Sequence, residues 1–271
     1  MRVVTRPDFD GVVCAALLCD ALGIDAPIRW VEPSAVQKGL VDITSDDILA
    51  NLPYHRSCGL WFDHHYTNQH AHPFEGVFQI APSAAGLIYQ HYHEHFERDY
   101  SELAQAADKI DAADLTEDEV LHPEKYDYVL LSMTITDSGE SDEAYWNHLV
   151  DLLRSSSIEQ VMADRLVQQR CRLIRDLNAV YADYLKEFTR VVTHVAVTDF
   201  RSLPKAPVGN RFLVYSLFPE TMVHMRIFYV TPSKDTIAVS VGHSIFNQSC
   251  RVNAGLMLAS FEGGGHRGAG S

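Results

Sequence analysis

Residues 2–23 read RVVTRPDFDGVVCAALLCDALG, and the order of events inside this stretch decides the fold. Arg2–Thr5 is a short run rich in β-branched residues, which predicts a strand. The next five residues, RPDFD, are polar and contain a proline, so the strand stops there. Gly11 then leads into GVVCAALLCDAL, an apolar stretch closed by Gly23, which predicts a buried helix. Strand, acidic loop and helix in that order open an α/β unit.

Working outward, residues 28–31, 47–50 and 59–62 are further strand candidates. Pro82-Ser83 opens a helix with Ser83 as its N-cap. Residues 101–113 read as helical, and 126–134 fit either a helix or a strand. Strands that alternate with helices predict a mostly parallel sheet with flanking helices, and such sheets hold ligands at the carboxyl ends of their strands.

Beyond Ser155-Ser156-Ser157 the pattern changes. Ile158, Met162, Leu166, Leu173, Leu177, Val180, Tyr184 and Phe188 recur at helical spacing and predict one long connector helix. Residues 191–197, 211–217, 223–230 and 236–241 then read as strands of a mixed sheet, split by Pro- and Gly-containing turns. The expected fold is two-lobed α/β. Residues 1–154 form the larger lobe, 155–190 the connector, and 191–271 a smaller α/β lobe.

Hydrophobic residues make up 46% of the 271 and charged residues 21%, which is a globular composition. No apolar run approaches the roughly 20 residues that span a bilayer, and MRVVTRPDFD has no apolar secretory core. Cys14, Cys19, Cys58, Cys171 and Cys250 are scattered, which suits free thiols in a reducing cytoplasm. The net charge of −14 argues against a grip on long duplex nucleic acid, whose affinity comes from Lys and Arg. It leaves room for a small phosphorylated substrate, because divalent cations reverse the potential inside one site.

Four constellations carry chemistry. Asp8 and Asp10 lie two apart after the first strand, and in an extended segment both carboxylates share a face. Oxygen ligands of this kind suit Mn²⁺ or Mg²⁺. Asp63-His64-His65 follows a strand and offers one carboxylate and two imidazoles. Asp108, Asp111 and Asp114 share helical spacing in DKIDAADL. Gly263–Gly270, GGGHRGAG, exposes backbone N–H groups, with His266 and Arg267 as cationic donors; the same composition also suits a flexible tail. Two other stretches read as bland: His91, His93 and His95 as an exposed helix face, and residues 137–143 as a solvated acidic loop.

Taken in this order, TRPDFDG, WFDHH (61–65), the acidic segment 108–114 and GGGHRGAG resemble the DHH phosphoesterase family over nearly the whole chain. The resemblance implies a two-lobed hydrolase with one or two Mn²⁺ ions, or another divalent metal, in the cleft between its lobes. It implies that Asp8 and Asp10 ligate the ions together with His64, and that Asp63 ligates or orients His64. Asp111 is the fourth-motif ligand, with Asp108 second, and His65 lies nearer the phosphate. The C-terminal lobe binds substrate through Gly264, Gly265, His266 and Arg267. Arg6 stands where many members have a histidine, and Asn51 where many have a bridging aspartate, with Asp46 or Asp47 as substitutes if the strand register differs. Both Arg6 and Asn51 then face the substrate.

The implied activity is hydrolysis of a phosphoester or phosphoanhydride in a short single-stranded oligonucleotide, nucleotide or cyclic dinucleotide. Polyphosphate hydrolysis and a degenerate site that binds nucleotide without cutting are the alternatives. A homodimer is compatible with the sequence, and no membrane partner is expected.

Overall fold

The computed structural model describes the chain apart from residues 136–139, 232, 262 and 266 and the side chains of 140 and 141. Two compact units emerge. The first comprises residues 1–114 and 126–170, the second residues 115–125 and 171–271.

In chain order the elements are β1 (Arg2–Thr5), α1 (Phe9–Leu22), β2 (Arg29–Trp30), α2 (Pro33–Gln37), β3 (Asp47–Ala50), β4 (Leu60–Asp63), β5 (Gly76–Phe78), α3 (Ala84–Tyr92), α4 (Ser101–Asp111) and α5 (Glu117–Leu121). There follow α6 (Asp127–Met133), α7 (Glu140–Ser155), α8 (Ile158–Ala163), α9 (Arg165–Phe188), β6 (Thr189–Val192), β7 (Val195–Asp199), α10 (Leu213–Leu217), β8 (Val223–Tyr229), β9 (Ile237–His243), α11 (Ala254–Ala259) and β10 (Ala269–Gly270).

The first unit is built on a sheet in the order β2-β1-β3-β4-β5, with every pairing parallel. The chain leaves β1 toward β2 on one side and returns to β3 on the other. The tips of β1 and β3 are therefore the topological switch point, where open parallel sheets bind ligands. Strands buried on both faces need unbroken apolar runs, and Val3, Val4, Ile48, Leu49, Ala50, Trp61 and Phe62 are all fully buried. Helix α1 is buried almost all round from Val12 to Leu18, and each of its leucines contributes roughly 1.5–3 kcal/mol by leaving water. Gly23 closes it in the left-handed conformation, φ 60°.

Helix α1 begins at Phe9, two residues earlier than the sequence suggests. Asp8 caps it, accepting from the Gly11 amide at 2.8 Å. Asp10 is consequently helical, not extended. Gly11 is required by close approach, since a Cβ there would lie 2.0 Å from the Arg6 carbonyl oxygen.

The connector is not one helix. Asp164 is extended, φ −60° and ψ 138°, and its Oδ1 accepts from the amides of Leu166 and Val167. A new N-cap thus resets the helical phase. The buried stripe of α9 is Val167, Cys171, Ile174, Tyr181 and Leu185, and the expected Leu173 and Val180 are exposed.

The second unit has a mixed sheet in the order β10-β9-β8-β7-β6, with β7 and β8 parallel and the other pairs antiparallel. Residues 191–197 contain a turn at Thr193, φ 57°, between β6 and β7. Residues 211–217 hold the helix α10, not a strand. Asn210 starts it, with its Oδ1 accepting from Phe212 N and its carbonyl from Leu213 N. Leu213, Val214 and Tyr215 are all buried, and a short apolar run reads the same in either period.

Residues 126–134 contain the helix α6. The acidic stretch 137–143 lies partly outside the described residues, and its described end belongs to α7. Asp142 there is 1% exposed and pairs with Arg170, so it is not a solvated side chain. Helix α3 ends at Tyr92 and residues 93–95 form a 3₁₀ turn. His91 and His95 therefore do not share an α-helical face. No described helix is long and apolar enough to cross a membrane.

Candidate metal centre

Three strand tips and two helices of the first unit deliver the polar residues. Arg6 and Asp8 follow β1, Asn51 follows β3, and Asp63-His64-His65 leaves β4. Asp10 comes from the first turn of α1 and Asp111 from the last turn of α4.

Asp10 is 2% exposed. Its carboxylate accepts from the Ala84 amide at 3.0 Å and the Ala85 amide at 2.8 Å, at the N-terminus of α3. Exposed N–H groups at a helix start favour an anion there. Burial, with Asp111 and Asp8 nearby, nevertheless pushes Asp10 well above the usual carboxylate range. Asp8 is also raised, chiefly by burial, with Arg6 opposing.

His64 is buried, and its Nδ1 lies 2.9 Å from the Ala81 carbonyl oxygen. A carbonyl only accepts, so Nδ1 is the donor in this contact and Nε2 is the ring nitrogen left to serve as a metal ligand. That Nε2 is buried without a hydrogen-bond partner, 3.3 Å from Asp111 Oδ2 and 3.7 Å from Asp10 Oδ2. One donor atom from each of Asp10, His64 and Asp111 lies within 4.8 Å of the others. An imidazole and two carboxylates at this spacing suit a hard or borderline divalent cation. The unpartnered Nε2 is the atom such a cation would satisfy, so the residues fit one.

Asp63 is fully buried, with Oδ1 2.8 Å from His65 Nδ1 and Oδ2 accepting from Asn68 Nδ2 at 2.7 Å. Asp63 contacts His65 and the Ala81 carbonyl contacts His64, and Asp63, His64 and His65 also offer one donor atom each within 4.8 Å of one another, a second group able to hold a cation. Burial alone would lower the His65 pKa; the Asp63 hydrogen bond and charge outweigh it and raise it above the usual imidazole value.

Asp108 does not reach the cluster of Asp10, His64 and Asp111. It accepts from Ser83 Oγ at 2.6 Å, and Ser83 in turn accepts from Gly86 N at 2.9 Å as the cap of α3. A Cβ at Gly86 would lie 2.3 Å from Asp108 Oδ1, so glycine is needed there. Asp114 is exposed beyond the end of α4.

Asn51 has φ 56° and donates from Nδ2 to Asp8 Oδ1 at 2.9 Å. Arg6 Nε lies 3.2 Å from Asp8 Oδ2. Asp46 and Asp47 sit at the opposite end of the sheet, where Asp47 pairs with Arg2 at 2.7 Å. They substitute for nothing here.

In the second unit the Gly-rich segment folds back on itself. Gly264 and Ser271 exchange both backbone hydrogen bonds at 3.0 Å, Gly265 bridges Gly270, and the Arg267 carbonyl accepts from Ala254 N. The Gly264 amide is thereby engaged, and His266 lies outside the described residues.

Sequence reasoning missed Ser83's second contact, Asn68 and the Ala81 carbonyl. The N-cap at Ser83 was a usable signal; the carbonyl carries none, because any residue supplies one.

Residues 54–191, just over half of the chain, match the MYG1 exonuclease group, described as the uncharacterised protein family UPF0160. The chain belongs to this family. With Asp63-His64-His65 beside Asp10 and Asp111, it is a DHH-type phosphoesterase. No curated protein sequence matches it at a significant level. Among solved structures, PggH from Vibrio cholerae, a pGpG-specific phosphodiesterase, is 32% identical with a TM-score of 0.84, over 99% of this chain and 91% of that one. RecJ from Thermus thermophilus in complex with Mn²⁺ is 16% identical with a TM-score of 0.58, over 99% of this chain and 49% of RecJ. Exonuclease RecJ bound to manganese gives 15% and 0.54, over 99% of this chain and 84% of that one. The RecJ likeness is one of fold.

Proposed function

We propose that this UPF0160 member is a divalent-metal-dependent phosphodiesterase that hydrolyses short 5′-phosphorylated oligonucleotides. The observation that carries the metal reading is His64 Nε2, buried and unpartnered between Asp10 and Asp111. The substrate class is supported by 32% identity, over nearly all of both chains, to a phosphodiesterase specific for pGpG.

Asp10, His64 and Asp111 would hold a cation, with Mn²⁺ or Mg²⁺ as candidates. When bound, the cation lowers the pKa of a water and offsets phosphoryl charge. His65, oriented by Asp63 and with its pKa raised by that contact, places an imidazole donor beside the centre to oppose charge that builds on phosphate. The amides of Ala84 and Ala85 fix Asp10 in one orientation and save reorganisation during the reaction. The segment 191–271, with Arg267 exposed, is the part we assign to substrate binding.

Tyr66 favours a nucleotide over polyphosphate. It directly follows His65 and is 72% exposed, whereas Trp61 is fully buried. An exposed ring that directly follows His65 in the chain suits a base, which polyphosphate lacks.

The reading is tested by incubating the protein with Mn²⁺ and a panel of pGpG, longer oligonucleotides, cyclic dinucleotides, polyphosphate and pyrophosphate. Selective cleavage of the linear dinucleotide is expected. Cleavage of polyphosphate or pyrophosphate alone would overturn the substrate class.

A further inference from the structure

We infer that this centre holds one divalent cation, not two, and that the Arg6 guanidinium stands in place of the second. The inference rests on the metal reading above and concerns how many ions that centre takes. It starts from Asp8, where the family resemblance puts a metal ligand, and from Asn51, where it puts a bridging aspartate.

Both oxygens of Asp8 are already engaged. Oδ1 accepts from the Gly11 amide at 2.8 Å and from Asn51 Nδ2 at 2.9 Å, and Oδ2 lies 3.2 Å from Arg6 Nε. A carboxylate has about four lone-pair directions, and three donors use most of them. One of those donors is the Arg6 guanidinium, which brings a full positive charge. A dication placed at Asp8 would meet that charge directly.

Asn51 points the same way. A bridging aspartate brings a negative charge shared by two ions. Asn51 spends its amide nitrogen on Asp8 and has one neutral oxygen left, Oδ1, which is buried without a partner among the described residues. The 2.9 Å contact is itself informative: an amide donates to a carboxylate at that distance, whereas two carboxylates so close need a shared proton or a cation between them. The backbone does not select the amide, because Asn and Asp both tolerate φ near +56°. The contact with Asp8 does.

The other half of the centre lacks such a substitute. No arginine or lysine pairs with Asp10 or Asp111 among the described residues, and their counter-group is the bare His64 Nε2. One half therefore needs a cation and the other carries its own.

The test is Mn²⁺ binding by the full-length protein, using equilibrium dialysis for stoichiometry and low-temperature electron paramagnetic resonance for the environment. Wild type is expected to bind one Mn²⁺ per chain with the spectrum of an isolated ion, lost in His64→Ala. Arg6→His combined with Asn51→Asp is expected to bind two, with an exchange-coupled spectrum. Two coupled ions in wild type would overturn the one-cation inference and leave the metal-dependent reading intact. No ion in wild type would overturn both. The wild-type stoichiometry decides even if the double variant fails to fold.

Discussion

Ser83 and Asp108 meet at 2.6 Å, and this contact ties α3, whose N-terminal amides hold Asp10, to α4, which carries Asp111. Ser83 caps α3, whose first amides bind Asp10; Asp108 lies one turn before Asp111 on α4. Ser83→Ala removes the cap and leaves Asp108 without its donor. It should cost about 1 kcal/mol of stability and weaken Mn²⁺ binding roughly 10–100-fold. Ser83→Thr should restore much of both. Denaturant unfolding and metal titration of the three proteins check this, and unchanged Mn²⁺ affinity in Ser83→Ala would show that the contact is only structural.

Tyr66→Ala should raise KM for a short oligonucleotide about 10-fold, the equivalent of one lost base stack. kcat should change little, because Tyr66 is 72% exposed and is not one of the candidate ligands. Steady-state kinetics separates the two; an unchanged KM would remove Tyr66 from the substrate path.

Arg170 on α9 pairs with Asp142 on α7, which is 1% exposed, and stacks its guanidinium 4.6 Å from the centre of the Tyr145 ring. Arg170→Met would take the Arg170 guanidinium away from a buried carboxylate. A cost of about 2 kcal/mol is expected, less than for a fully buried pair because Arg170 is itself 23% exposed. Urea unfolding reads it, and Asp142→Asn combined with Arg170→Met should recover part of the loss.

His224 supplies the pH dependence of the second unit. Burial, with Arg226 adding to it, pushes its pKa from 6.5 down to about 4, and its Nε2 shares a hydrogen bond with Thr198 Oγ1 at 2.8 Å. Between pH 6.5 and 4 the unfolded chain takes up a proton that the folded chain refuses. Stability therefore falls as pH falls through that window, by about 3 kcal/mol from this group. Unfolding of wild type and His224→Gln at about pH 7, 5.5 and 4.5 should show a steeper acid loss in wild type. Equal slopes would mean that His224 is not held neutral.

The parts of the fold that were legible are those where one pattern has one meaning. Arg2–Thr5 and Asp47–Ala50 form strands at the expected residues because short, buried apolar runs between polar loops fit little else. Asp63-His64-His65 was visible as a site because three polar residues interrupt such a run. The connector helix was misread because Asp164 works as a cap only through its side-chain geometry, so the stripe lost its phase there. Residues 211–217 were misread because three consecutive apolar residues carry no period. The roles of Asp63 and Asp108 depend on which partner each carboxylate meets across the fold, and spacing along the chain does not encode that.

The most direct measurement is turnover of pGpG with Mn²⁺ by wild type and by His64→Ala, with both proteins shown to fold. Removing the one imidazole whose Nε2 faces Asp10 and Asp111 should cut turnover at least about 100-fold and abolish its dependence on Mn²⁺. Equal, Mn²⁺-dependent turnover in the two proteins would contradict the assignment of the centre, and no turnover in wild type with any divalent metal would contradict the proposed activity.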